Sequence, residues 1–405
     1  MATWLRLALL VALLATSGMA AAPAQAEPGA RCQEGVQPSG ALWLICIPRL
    51  LWNGDLVVFA HGYTAYNEPL GFQNLYLPDG TYLPDLVTGL GFAFATTSYR
   101  TNGLAVLQGV DDIRELIALF PGVAGRAPDR TYLTGASEGG IVTTLLVEQS
   151  PDLVSGGLSL CGPNGDFKRQ IDYWGDFRVL FDYFFPGVLP PSPISIPQEV
   201  IDHWEDIYAP AIQDAVNANP QAAAELMATS NAATDPADPA TVVSTTLNLL
   251  WYNVFATNDG VQKLGGNPYG NRLRWYRGSS NDLRLNRLVQ RFSADPAALA
   301  ELEHYQTSGT LTIPLVVMHT TGDEIVRFQQ MVLYYRKVAA AGHLDNLDVI
   351  PIRRYGHCNF TTAEVLAGFS LLVLRVTGSR LEGIPQQFDP VQVQHAFEQA
   401  AGLTP

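Results

Sequence analysis

Residues 131–142 read TYLTGASEGGIV, an apolar run that ends in Gly135-Ala136-Ser137-Glu138-Gly139 and passes directly into a helical pattern. A hydroxyl set between glycines at a strand-to-helix corner is a G-x-S-x-G arrangement. Such a corner strains the backbone at the serine and lifts its hydroxyl above the sheet edge, while small neighbours let strand and helix approach. The plain alternative is a tight turn. A serine hydroxyl is a weak nucleophile until a base takes its proton. His357, in IRRYGHCNF, follows a strand ending near Tyr355 and is the candidate base. The base needs an acid to hold its tautomer and stabilise the imidazolium. Asp323, in VVMHTTGDEIV, follows the preceding strand and is the candidate acid, with Glu324 the substitute if Asp323 points away. Asp323 could instead only cap a helix starting near Ile325. Nucleophilic acyl transfer is the chemistry open to this set.

An oxyanion intermediate requires two preorganised N–H donors, each worth on the order of 3 kcal/mol of barrier. The Glu138 amide, directly after the nucleophile, is one candidate. The other is the Tyr63 amide in the loop His61-Gly62-Tyr63-Thr64 that follows DLVVFA, with Gly62 the lesser choice. His61 reads as a packed core residue, and the Glu138 side chain as an acid favoured by the helix dipole in a first turn. His319 precedes the acid loop and reads as structural; His203, His304, His343 and His395 read as surface or cap residues.

The elements that would carry these residues alternate. Residues 41–60 read as two strands joined by Asn53-Gly54, a pair suited to a type I′ hairpin turn. The strand FAFATTSYR follows, then a helix with Val110, Ile113, Leu116, Ile117 and Phe120 on one face. After the quoted corner come the helix GGIVTTLLVEQS and the strand VSGGLSLCG. Much later come TIPLVVMHT, the helix VRFQQMVLYYRKVAAAG, LDVIPIRRY, the helix TAEVLAGFSLLVLRVTG and a terminal helix. Nearly all-apolar strands between amphipathic helices indicate an α/β fold whose mostly parallel sheet is covered on both faces. The alternation stops over about residues 163–310. That segment is too long for a loop and too apolar for a linker, so it reads as a folded insertion. Its aromatics, among them Trp174, Phe177, Tyr183, Phe184, Trp251 and Tyr252, suggest an apolar pocket, although each singly is more often core.

The N-terminus has an early Arg, an apolar segment and a small-residue end at Ala24-Gln25-Ala26, the form of a secretory signal at 1–26 rather than a membrane anchor. A secreted or periplasmic location is therefore expected. Hydrophobic residues make up 47% and charged residues 15%, the balance of a globular chain with a large core. A net charge of −14 argues against nucleic acid as a partner. Export favours oxidation of the four cysteines. A Cys32–Cys46 bridge would tie the N-terminal segment to the first strand and leave Cys161 and Cys358. Four cysteines allow three connectivities, and spacing does not choose among them. No CxxC or Cys/His spacing suits zinc, so no structural metal is expected, and the acyl-transfer chemistry of the serine, histidine and acid needs no cofactor.

FAHGYT, TGASEGG, MHTTGDEIV and YGHCNF resemble the oxyanion loop, elbow, acid loop and histidine loop of the α/β-hydrolase superfamily. The resemblance covers about residues 40–162 and 310–378. It implies a triad of Ser137, Asp323 and His357, and it makes the insertion a cap after the sixth core strand. The expected organisation is signal 1–26, core 27–162, cap 163–310 and core 311–405. Cys358 beside the histidine is similar to the tannase and feruloyl-esterase group, which ties its triad loops with a disulfide. That group has Cys before the serine where this chain has Ala136; Cys161 could bridge to Cys358 instead, or Cys358 could stay free. HGYTA resembles the oxyanion loop of secreted polyester hydrolases, a resemblance that implies a substrate contact for Tyr63 beside the scissile ester. The expected activity is carboxylic-ester hydrolysis through an acyl-enzyme, on a small or polymeric ester and with no obligate protein partner. A peptidase or amidase, an acyltransferase and a noncatalytic binding protein are the alternatives.

Overall fold

The computed structural model describes residues 29–384 and 387–403; the expected signal at 1–26 lies outside the described residues. One sheet contains eight strands: β1 (Ala30–Val36), β2 (Leu42–Pro48), β3 (Leu56–Ala60), β4 (Ala93–Thr97), β5 (Thr131–Ala136), β6 (Gly156–Leu160), β7 (Leu315–Gly322) and β8 (Leu347–Tyr355). Their order is β1-β2-β4-β3-β5-β6-β7-β8. The β1–β2 and β2–β4 pairs are antiparallel and the rest are parallel. Strands β3 to β6 are buried along nearly their whole length, which is why they read as continuous apolar runs.

The hairpin expected at Asn53-Gly54 does not form. Strand β2 lies between β1 and β4, and β3 is on the far side of β4. Both edges of β3 are taken by the parallel strands β4 and β5, which leaves none for a hairpin with β2. The Asn53–Gly54 segment instead passes the start of β4, where the Asn53 amide donates to the Gly91 carbonyl at 2.9 Å. The hairpin partner of β2 is β1, and Cys32 faces Cys46 directly across that pair and is disulfide-bonded to it.

Helices α1 (Leu83–Gly89), α2 (Val106–Ala124) and α3 (Glu138–Gln149) belong to the first half of the core. The insertion carries α4 (Phe167–Phe184), α5 (Gln198–Asp202), α6 (Ala209–Ala218), α7 (Pro220–Ser230), α8 (Thr241–Lys263), α9 (Asp282–Leu288) and α10 (Pro296–Leu302). The second half adds α11 (Gln329–Ala341), α12 (Thr362–Thr377) and α13 (Pro390–Ala400). One face of the sheet packs on α2, α3 and α11, through residues such as Ile113, Leu116, Phe120, Leu145 and Met331. The other face packs on α1 and α12, through Val87, Phe369 and Leu372. The insertion follows β6 and has its own core around Phe177, Phe181, Leu226, Leu249, Leu250 and Val254. Ile325 and Val326 of the loop after β7 also belong to that core, whereas Leu302 of α10 packs back into the sheet layer. Among the described residues no helix is long and apolar enough to cross a membrane.

Candidate active site

The corner after β5 is strained where its side chain matters. Ser137 has φ 56° and ψ −119°, a conformation that non-glycine residues rarely adopt. Space explains the glycines around it. A Cβ at Gly135 would lie 2.1 Å from the Gly139 carbonyl oxygen, and one at Gly139 would lie 2.0 Å from the Ala60 oxygen. The Ser137 amide donates to the Leu160 carbonyl at 2.8 Å, fixing the corner to the end of β6.

Parallel pairing brings the loops after β3, β5, β7 and β8 to one rim of the sheet, since Ala60 pairs with Gly135, Leu160 with Met318 and Met318 with Ile350. The register of β7 on β8 shifts between Thr320 and Gly322, a bulge that redirects the loop beyond it. Thr320 Oγ1 then donates to the Gly356 carbonyl at 2.7 Å and ties the two loops together. His357 Nδ1 lies 2.8 Å from Asp323 Oδ2 and 3.0 Å from Oδ1, and its Nε2 lies 2.8 Å from Ser137 Oγ. A carboxylate only accepts, so Nδ1–H donates to Asp323 and the Ser137 hydroxyl donates to Nε2. Burial lowers the pKa of the imidazole, but the Asp323 carboxylate beside it more than offsets this and holds it above the ordinary histidine value.

Asp323 is fully buried and faces His357, and the helix expected to start near Ile325, which it would have capped, does not form there. Its Oδ1 also accepts from the amides of Ile325 and Val326 at 3.0 and 2.8 Å, and the helix begins later, at Gln329. Glu324 points elsewhere and accepts from Asn248 at 3.1 Å. His319 is buried beneath the acid, donating from Nε2 to the Val326 carbonyl at 2.6 Å, with the same nitrogen 3.4 Å from Asp323 Oδ2. His61 is buried and stacked on Tyr99 with ring centroids 4.0 Å apart.

The loop after β3 runs beside the nucleophile: a Cβ at Gly62 would lie 3.3 Å from Ser137 Cβ. The Gly62 amide donates to Asn74 Oδ1 at 3.0 Å, so it is already engaged. The amides of Tyr63 and Glu138 remain the candidate oxyanion donors, Glu138 being the first residue of α3, where helix amides lack internal partners. Glu138 is the acid of the first turn of α3, as its sequence position suggests, but it does not face solvent. It is buried and accepts from the Ala105 amide at 2.8 Å. Burial pushes its carboxyl up to about 8, against the opposing pull of the Ala105 N–H and Lys263.

Sequence reasoning missed what α8 does. Thr245 bonds the Tyr355 hydroxyl at 2.8 Å, Asn248 bonds Glu324, and Tyr252 lines both spaces that open at Ser137. The Phe255 carbonyl accepts from the Tyr63 hydroxyl at 3.0 Å, and Asp259 accepts from the Leu104 amide at 2.7 Å. Positions 245, 248, 252, 255 and 259 share one face of a helix, so a single face of α8 bonds the segments at Tyr355, Glu324, Tyr63 and Leu104 and sets Tyr252 beside Ser137. The spacing was visible, but nothing in it names the partners. Trp174 stacks on Tyr252 at 4.8 Å, and Trp251 meets Tyr63 edge-on at 6.0 Å. Phe177 is instead fully buried cap core, and Tyr183 and Phe184 line a separate cleft.

Cys161, at the end of β6, is disulfide-bonded to Cys358, the residue after the histidine. Cys161, His357 and Cys358 are clustered, but both sulfurs are committed to the disulfide and His357 to Asp323 and Ser137, so they do not form a metal ligand set. Two spaces open at Ser137. One is a cavity of about 880 Å³ under the cap, walled by residues including Phe167, Ile171, Trp174 and Leu264. The other is a groove of about 860 Å³ that includes His357, Tyr76, Leu77 and Pro78; both volumes include space at the mouths that is open to solvent.

No protein-family model and no curated protein sequence matches this chain. Among solved structures it is similar to the acylaminoacyl peptidase of Pyrococcus horikoshii, at 15% identity and a TM-score of 0.45, over 90% of this chain and 44% of that one. It thus spans less than half of the peptidase's length. It is also similar to an esterase of Pyrococcus furiosus (11%, TM-score 0.45, 87% and 91% of the two chains). A third is the 2-hydroxy-6-oxo-6-phenylhexa-2,4-dienoate hydrolase of a Rhodococcus strain (15%, TM-score 0.40, 86% and 100%). The strand order, the strand–Ser137–helix corner and the insertion after β6 are those of the α/β-hydrolase fold.

Proposed function

We propose that this protein is a secreted serine hydrolase that cleaves carboxylic esters through an acyl-enzyme. The continuous hydrogen-bonded chain from Ser137 through His357 to Asp323 supports this reading best. Ser137 Oγ attacks the ester carbonyl carbon while His357 Nε2 takes the hydroxyl proton. The oxyanion that develops is held by the amides of Glu138 and Tyr63. Collapse expels the alcohol, which receives the proton from His357. Water, activated by the same imidazole, then releases the acid and restores Ser137. Asp323 keeps the proton on Nδ1 so that Nε2 is free to accept, and it stabilises the imidazolium in each half-reaction. Every group the reaction needs is supplied by the chain, so the reading calls for no cofactor. Two disulfides accord with an oxidising, extracytoplasmic location. Ser137→Ala should lower turnover of a p-nitrophenyl ester by roughly 10⁴-fold or more; a variant that keeps wild-type turnover would overturn the mechanism.

A further inference from the structure

The two spaces at the nucleophile share three wall residues, Tyr63, Ser137 and Tyr252. The Tyr63 and Tyr252 rings lie against each other with centroids 5.6 Å apart and divide one space from the other. His357 lines the groove, whereas Glu138 lines the cavity under the cap. We infer that the cavity under the cap takes the acyl part of the substrate and the groove takes the leaving alcohol, an assignment that rests on the esterase reading above.

Proton bookkeeping sets the direction. In acylation the bond from Ser137 Oγ to the acyl carbon forms and the bond from that carbon to the alkoxy oxygen breaks. The Ser137 proton reaches the alkoxy oxygen through His357 Nε2, and the alcohol leaves. For that transfer the alkoxy oxygen must come within hydrogen-bond reach of Nε2, which puts the alcohol on the His357 side. With the carbonyl oxygen turned to the Glu138 and Tyr63 amides, the remaining substituent of the acyl carbon points beneath the cap.

The chemistry of each wall narrows the substrate. The cavity is lined by apolar and aromatic groups, among them Phe167, Ile171, Trp174, Leu264 and Tyr269. Glu138 in that wall is held near neutrality by burial. Lys263, behind it, is committed to Asp259 at 3.1 Å and to the Asn102 carbonyl. A second carboxylate on the acyl group would therefore meet no counterion, and the cavity suits an uncharged medium-chain or arylalkanoyl group. The groove is rimmed by the exposed Tyr76 and by Leu77 and Pro78, and is open enough for alcohols of very different size.

Gly260, on α8, provides the test, because a Cβ built there meets nothing within 4 Å and a larger side chain can grow into the cavity. Gly260→Leu should lower the ratio of kcat/KM for p-nitrophenyl octanoate over p-nitrophenyl acetate at least tenfold. The ratio between naphthyl and methyl acetates should not change. Tyr76→Ala should do the opposite. A Gly260→Leu variant that shifts the alcohol ratio, or leaves the acyl ratio at its wild-type value, overturns the assignment. Ala256→Leu, on the same wall, repeats the test should Gly260→Leu misfold. Labelling by a small fluorophosphonate separates the two levels: a wild-type protein that does not react at Ser137 removes the esterase reading itself, whereas labelling with the wrong ratios removes only the subsites.

Discussion

Two carboxylates sit side by side in the acid loop, and one of them touches the base. Asp323 contacts His357 Nδ1, while Glu324 turns toward Asn248. Asp323→Asn should lower kcat by about 10³- to 10⁴-fold, because an amide no longer enforces the required tautomer. Glu324→Gln should change kcat less than tenfold. Equal losses in the two variants would reassign the acid. Glu138 gives a pH signature. Its folded-state value of about 8 lies above the ordinary 4.5, so the folded protein keeps a proton that the unfolded chain releases. That contribution to stability is complete below about pH 4.5 and is lost as pH rises toward 8. Denaturant titrations of wild type and Glu138→Gln between pH 5 and 8 should show a steeper fall in the wild type, by up to about 1.4 kcal/mol per pH unit. Parallel slopes would mean that the carboxyl is not held neutral. At this scale Ser137, Asp323 and His357 were legible because each follows an apolar strand in a short turn. The burial of Glu138 was not, because it depends on Ala105 and Lys263, both distant in sequence.

Elements succeeded or failed as sequence signals according to whether their partners were local. The α2 stripe of Val110, Ile113, Leu116, Ile117 and Phe120 is the buried face of its helix, because a helix's periodicity is its own property. Asn53-Gly54 misled because pairing is decided by the neighbours a strand can reach, and both edges of β3 pair in parallel with β4 and β5. The Cys161–Cys358 bridge likewise joins the ends of β6 and β8, two strands apart in the sheet. It anchors the histidine loop, so its loss should affect catalysis more than substrate binding. Cys161→Ala combined with Cys358→Ala should reduce kcat at least tenfold with KM changed less than threefold. A double variant with wild-type kcat would make the bridge a stability element alone.

Across the whole molecule, the cap and the sheet layer are bound together rather than hinged. The α8 face bonds four segments of the core, at Tyr63, Leu104, Glu324 and Tyr355, Ile325 and Val326 enter the cap's apolar centre, and Leu302 returns to the sheet. Thermal unfolding should therefore show one transition, with tryptophan fluorescence and calorimetry giving the same midpoint; a separate early melting of the cap would contradict this. The sequence by itself determined the alternation of strand and helix, the place of the insertion and the choice of Ser137, His357 and Asp323 as candidates, because periodicity and turn chemistry are written locally. The tertiary structure decided which strands are neighbours, which cysteines bond, that Glu138 is buried, and that α8 roofs the site and divides the space around Ser137. Those outcomes depend on contacts between residues separated by tens to hundreds of positions, and no local pattern encodes which distant surface a given face will meet.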